Sequence, residues 1–174
     1  MSQINLAAVA PGLRQLQNNT GSIGVNASVD TAAPSYSGFK YALVMFRMEA
    51  TAGASQQMFM RINNIATASY DQTSINGAAL LDASATTSFG SSGLQYTAAS
   101  GRIVGWFIYD LSKPAGEENT IIAGEMAADS GARGGIMKVF MEGFRNTTVG
   151  LTSLTLFTTG TTSATFEINW YGLT

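Results

Sequence analysis

Five carboxylates, Asp110, Glu117, Glu118, Glu125 and Asp129, lie near the middle of this 174-residue chain. Two carboxylates facing each other across a substrate suffice for glycoside cleavage. The spacing here singles out no pair, and scattered surface acids give the same pattern. Asp110-Leu111-Ser112-Lys113-Pro114-Ala115-Gly116-Glu117 reads more simply as a polar loop after a strand. Ser37-Gly38-Phe39-Lys40 has the S-x-x-K form of penicillin-recognising enzymes. That chemistry needs a helix to set the lysine beside the serine, and partner motifs downstream. Here the tetrapeptide opens a strand-like run, and no S-D-N or K-T-G follows.

The chain has no histidine and no cysteine. It therefore lacks the commonest general base, the commonest transition-metal ligand and any thiolate site. No EF-hand spacing is present. Gly131-Ala132-Arg133-Gly134-Gly135 lacks the spacing and lysine of a phosphate-binding loop. The expectation is a non-enzymatic protein with no catalytic, cofactor or metal residues.

Aromatic rings offer an apolar platform for a sugar face when exposed. Trp106, Tyr109, Trp170 and Tyr171 all sit in strand-like segments, where core or interface burial also explains them. Burial is the expectation for Trp106. For Tyr70, Tyr96 and Tyr171 the choice stays open. Asn18, Asn26 and Asn146 stand in N-x-[ST] sequons, which carry no meaning without a secretory route.

Charged residues make up only 11% of the chain, less than half the usual share of roughly 25%. A free monomer usually keeps more charge for solubility, so low charge points to a surface partly covered by partners. A formal net charge of −2 with scattered basic residues gives no attraction for nucleic acid or an anionic membrane. No apolar run approaches the roughly 20 residues of a membrane-spanning helix. Ala7-Ala8-Val9-Ala10 lacks a basic lead-in and is cut short by Pro11-Gly12, so it does not read as a signal peptide. Synthesis in a cytoplasm is the expectation.

Short strand-like runs recur every 8–15 residues between Gly, Ser, Asn and Pro clusters. They are Ser22–Val29, Phe39–Glu49, Gln57–Asn63, Ala66–Asp71, Arg102–Asp110, Asn119–Met126, Gly135–Phe144, Leu151–Thr158 and Thr165–Tyr171. The expected fold is all-β, an antiparallel β-sandwich, jelly-roll-like, of about eight or nine strands. Residues 1–21 are set apart as an N-terminal docking arm, with the sandwich over 22–174. In the arm, Ile4, Leu6, Val9, Leu13 and Leu16 are apolar without alternating. An irregular strand packed on its own domain is an equal reading of that segment.

Three strands are apolar on both faces. Phe39–Met48 sets Phe39, Tyr41, Leu43 and Met45 against Ala42, Val44, Phe46 and Met48. Ile103–Tyr109 sets Ile103, Phe107 and Tyr109 against Val104, Trp106 and Ile108. Ile136–Phe144 behaves likewise, with Met137, Val139 and Met141 on one side. A sandwich strand facing water is polar on that side. Two apolar faces therefore predict a second cover: a partner subunit, or a loop of the same chain such as Gly77–Ser100. Val44, Phe46, Met48, Trp106, Ile108 and Val139 are the candidate oligomer interface. The small-residue stretch Asn76–Gly101 reads as a long loop, either a connector or an exposed recognition surface. Tyr70, Phe89 and Tyr96 are the candidate recognition residues.

The closing run from Val149 places two Thr-rich strands about a Thr-Gly turn and ends Trp170-Tyr171-Gly172-Leu173-Thr174. Together with Gly101-Arg102-Ile103-Val104-Gly105-Trp106-Phe107-Ile108-Tyr109-Asp110 and the segment from Arg61-Ile62-Asn63 to Ser69-Tyr70, it resembles small jelly-roll virion proteins of tailed bacteriophages. These are tail-fibre heads, head fibres and capsid decoration proteins. The resemblance spans roughly residues 38–174 on the same sandwich logic. It implies a homotrimer on the virion surface, attached to capsid or tail proteins. It also implies a role in shell stabilisation or in adhesion to a host surface glycan. It transfers no binding residue, since fold alone does not give function.

Overall fold

The computed structural model describes residues 12–52, 56–67, 69–76, 79–89, 95–96, 101–114, 116, 120–129, 136–145, 150–159, 161 and 163–174. They form twelve strands and no helix: β1 Leu13–Ile23, β2 Ser28–Ala32, β3 Tyr41–Ala52, β4 Gln56–Ile62, β5 Tyr70–Asn76, β6 Ala79–Thr86, β7 Gln95–Tyr96, β8 Arg102–Asp110, β9 Ile121–Asp129, β10 Ile136–Phe144, β11 Ser153–Thr159 and β12 Ser163–Leu173. The chain is an all-β antiparallel sandwich. One sheet has eight strands in the order β1-β12-β3-β8-β9-β10-β5-β6, and the other has four in the order β2-β11-β4-β7.

Against the nine expected runs, the additional strands are β6, β7 and the separation of β1 from β2. Two hairpins are insertions in the sandwich. β5–β6 is inserted between β4 and β7, and β9–β10 between β8 and β11. They join each other through the β10–β5 pairing and extend the large sheet. Part of the stretch expected to be a long loop is thus β6. Without these hairpins, the remaining strands divide four and four as β1-β12-β3-β8 and β2-β11-β4-β7, the chain changing sheet at every step except β4 to β7.

Residues from Leu13 onward belong to the sandwich. β1 pairs with β12 from Leu13↔Leu173 to Ile23↔Ala164. The expected division after residue 21 therefore falls inside a strand. Leu13 and Leu16 are half-buried on β1, whereas Ile4, Leu6 and Val9 lie outside the described residues. The turn Gly24–Ala27 separates β1 from β2 where one strand, Ser22–Val29, was expected. Asn26 takes φ 48° there, a left-handed conformation that asparagine tolerates because its short amide bonds locally.

The core lies between the sheets. Val44, Phe46 and Met48 of β3, Ile103 and Phe107 of β8, and Ile168 and Trp170 of β12 join Met60 and Ile62 of β4 and Leu154 and Leu156 of β11 in it. Strict alternation along β3 and β8 sends every second side chain inward. Trp170 donates its indole N–H to Asn19 Oδ1 at 2.8 Å, tying the core to β1. Tyr70 pins the inserted hairpin to the small sheet. Its hydroxyl donates to Ile65 O at 2.8 Å and accepts from Ile62 N–H at 3.1 Å. Asn63 (φ 54°) closes β4 against β11. Its Oδ1 accepts from Thr152 N–H at 2.7 Å and its amide donates to Gly150 O at 2.9 Å.

Candidate assembly and ligand surface

The outward row of β3 is Tyr41, Leu43, Met45, Arg47 and Glu49, and that of β8 is Arg102, Val104, Trp106, Ile108 and Asp110. Cross-strand register sets Met45 beside Trp106 and Asn169, and Trp106 beside Glu125. Arg47 lies between Glu167 and Val104 by the same register, and Val104 reaches Ala127. A groove of about 330 Å³ crosses these four strands, floored by Met45, Val104, Trp106 and Ala127. Met45 is 42% and Val104 45% exposed, and Ile122 nearby on β9 is 55% exposed. Trp106 and Ile108 are half-buried.

The charges bordering this face neutralise one another. Arg47 Nε reaches Glu167 at 3.0 Å, Arg102 Nε reaches Glu49 at 2.9 Å, and Lys138 Nζ reaches Glu125 at 3.3 Å. Each pair joins neighbouring strands, where opposite charges stabilise a sheet modestly. Glu167 is held further by amides: Asn169 and Asn18 each donate to its Oε1 at 3.1 Å. The Asn169 bond lowers its carboxyl pKa most; burial, the next largest effect, opposes it, and Asn18 and Arg47 lower it further.

The candidate interface residues divide. Trp106 and Ile108 lie on the outward face as part of this surface. Val44, Met48 and Val139 are 0% exposed and Phe46 is 4%; they are core residues and present no surface. The reason is pleat parity: on β3 the even-numbered residues face inward, so the outward apolar set is Tyr41, Leu43 and Met45. The candidate recognition residues are corrected as well. Tyr70 and Phe89 are fully buried, packed edge to face with centroids 4.9 Å apart. Burial raises the Tyr70 hydroxyl pKa well above the usual phenol range. Tyr96 lies on β7, paired with Gln56.

The chemistry-bearing residues remain dispersed. Asp110 Oδ1 accepts from the Ser112 hydroxyl at 2.6 Å and from its N–H at 2.9 Å, which lowers the Asp110 pKa. Glu125 is engaged with Lys138. Glu117 and Glu118 lie outside the described residues, and Asp129 ends β9. Ser37 and Gly38 form a turn (Gly38 φ 85°) rather than a helix. Lys40 stands over the Tyr41 ring, 5.0 Å from its centroid. Among the described residues no group of three His, Cys, Asp or Glu is placed to hold a metal ion, and no helix is long and apolar enough to cross a membrane.

Fold and surface together define an all-β sandwich with one apolar, charge-neutralised sheet face. A scan against protein-family models finds no match, and a search of curated proteins finds none either.

Proposed function

We propose that this chain is a non-enzymatic structural module that works in several copies, with the outward face of β3, β8 and β9 packed against a second copy of itself. The observation that carries this is the apolar groove of Met45, Val104 and Trp106, whose bordering charges are already paired within the chain. Charges paired in advance lower the desolvation penalty of covering the face. An apolar centre with a polar rim is also the anatomy of a protein interface. A surface whose charges are already paired meets another copy without net repulsion, and a head-to-tail contact repeated three times closes a ring.

The strand order β1-β12-β3-β8 opposite β2-β11-β4-β7 supports reading the scaffold as a jelly roll with two inserted hairpins. On that reading the module belongs on a tailed-phage particle, as a trimer on the virion surface attached to capsid or tail. It stabilises the shell or attaches the particle to a host glycan. Paired charges and the small net charge disfavour nucleic acid as the partner. The decisive experiment is the solution mass of the full-length protein by light scattering. A stable trimer is expected. A monomer across the whole accessible concentration range overturns the assembly reading.

A further inference from the structure

Among the described residues, four large apolar side chains stand exposed: Val25, Met45, Val104 and Ile122. Met45, Val104 and Ile122 are on β3, β8 and β9. Val25 is apart from them. It is 58% exposed, in the turn Gly24–Ala27 that leads from β1 in the large sheet to β2 in the small one. No charged residue occurs between Arg14 and Asp30.

The turn is held at both ends. Thr158 of β11 donates its hydroxyl to Gly24 O at 3.1 Å and its N–H to Ala27 O at 3.0 Å. Ala27 packs against the core, and Asn26 beside it takes the left-handed φ of 48°. Val25 is left exposed at the tip of a fixed turn. A contact made by a fixed element loses little freedom on binding, which is the benefit of preorganisation.

We propose that Val25 seats in the groove of Met45, Val104 and Trp106 on a neighbouring copy, so that each chain offers its turn to one neighbour and its groove to another. This rests on the assembly reading of that face and names what covers it. A head-to-tail contact needs two different, complementary surfaces on one chain. The turn and the β3–β8–β9 surface are the two places where the described residues leave large apolar side chains uncovered. Charge agrees: the turn has none, and the charges bordering the groove are paired with one another, so the contact buries no lone charge. The groove of about 330 Å³ is at the lower end of volumes that take a small ligand, about 300–1,000 Å³, which gives room for the tip of a turn. One chain cannot make this contact with itself. β1 ends at Ile23, level with Ala164 and Ala50, whereas the groove lies level with Asn169 and Met45, about 16 Å away along the strands at roughly 3.3 Å per residue.

The test is light scattering on the full-length protein and on Val25→Asp, with circular dichroism to read the fold. The parent is expected to be an oligomer. Val25→Asp alters an exposed turn residue and should fold, but its assembly should weaken by about a hundredfold or more, because a carboxylate would be covered without a partner. Mixing Val25→Asp with Met45→Asp is the second arm. The first variant keeps its groove and the second keeps its turn, so one sound contact remains between them. The two monomers should combine into a one-to-one pair. A Val25→Asp protein that keeps the parental mass while Met45→Asp dissociates would overturn this proposal and leave the assembly face standing. A mixture that stays monomeric would also overturn it. A monomeric parent would overturn both readings together.

Discussion

Met45 and Phe46 are neighbours in sequence with opposite fates, and aspartate at each position tests the face assignment. Phe46 is 4% exposed and Met45 is 42% exposed. Phe46→Asp removes a buried ring, which alone costs about 3–5 kcal/mol with the cavity it leaves. It also buries an unpaired carboxylate, a further cost of several kcal/mol. Together these reach the whole stability of a domain, about 5–15 kcal/mol, so the variant should not fold. Met45→Asp puts the same group where water already reaches. Its folding cost should stay within about 1 kcal/mol. In the assembled state that carboxylate would be covered without a partner, at about 3–5 kcal/mol, or roughly two to four orders of magnitude in the dissociation constant. Light scattering reads the assembly, and urea unfolding followed by circular dichroism reads the fold. Met45→Asp should give a folded monomer, and Phe46→Asp an unfolded chain. A Met45→Asp protein that keeps its oligomeric mass would refute the assembly face, and a cooperatively folding Phe46→Asp would refute the core.

Two phenols should respond oppositely to loss of their oxygen. Tyr70→Phe leaves Ile62 N–H and Ile65 C=O without their hydroxyl partner and should cost about 2 kcal/mol in urea unfolding. Tyr36 Oη is buried with no hydrogen-bond partner among the described residues; Tyr36→Phe should be neutral or stabilise by up to about 1 kcal/mol. Gly105→Ala should destabilise by about 1–3 kcal/mol, because the new Cβ would lie 2.8 Å from Phe46 Cε1 and 2.9 Å from Met126 Cγ inside the core. Glu167 has a folded pKa below its ordinary value of 4.5. It therefore contributes stability that is present above about pH 4.5 and lost as pH falls through the folded pKa. Thermal melts at descending pH should show a smaller loss for Glu167→Gln than for the parent.

Strand alternation was legible in the residues of β3 and β8, but which face turned inward was not taken from it. The signal was present: Arg47 and Glu49 share parity with Met45, and Arg102 and Asp110 share parity with Val104 and Trp106. Charges mark the wet side of a sheet even when apolar residues dominate it. The hairpin β5–β6 escaped notice because Ala, Ser and Asn are weak strand formers, and its pairing with β10 is fixed by distant contacts. β12 lies between β1 and β3, which brings Thr20 and Ser22 near Thr165 and Glu49. No local spacing announces such a neighbourhood.

The place of β12 also governs how the molecule is made. β12 is not added at an edge; it slots between β1 and β3, bonded to both along its length. Until Ser163–Leu173 has emerged, β1 and the β3 side of the large sheet stand apart as two open edges, the kind of template on which other chains pair. β1 and β3 can only be joined through β12. A chain cut before Ser163 is therefore an adhesive fragment rather than a smaller domain.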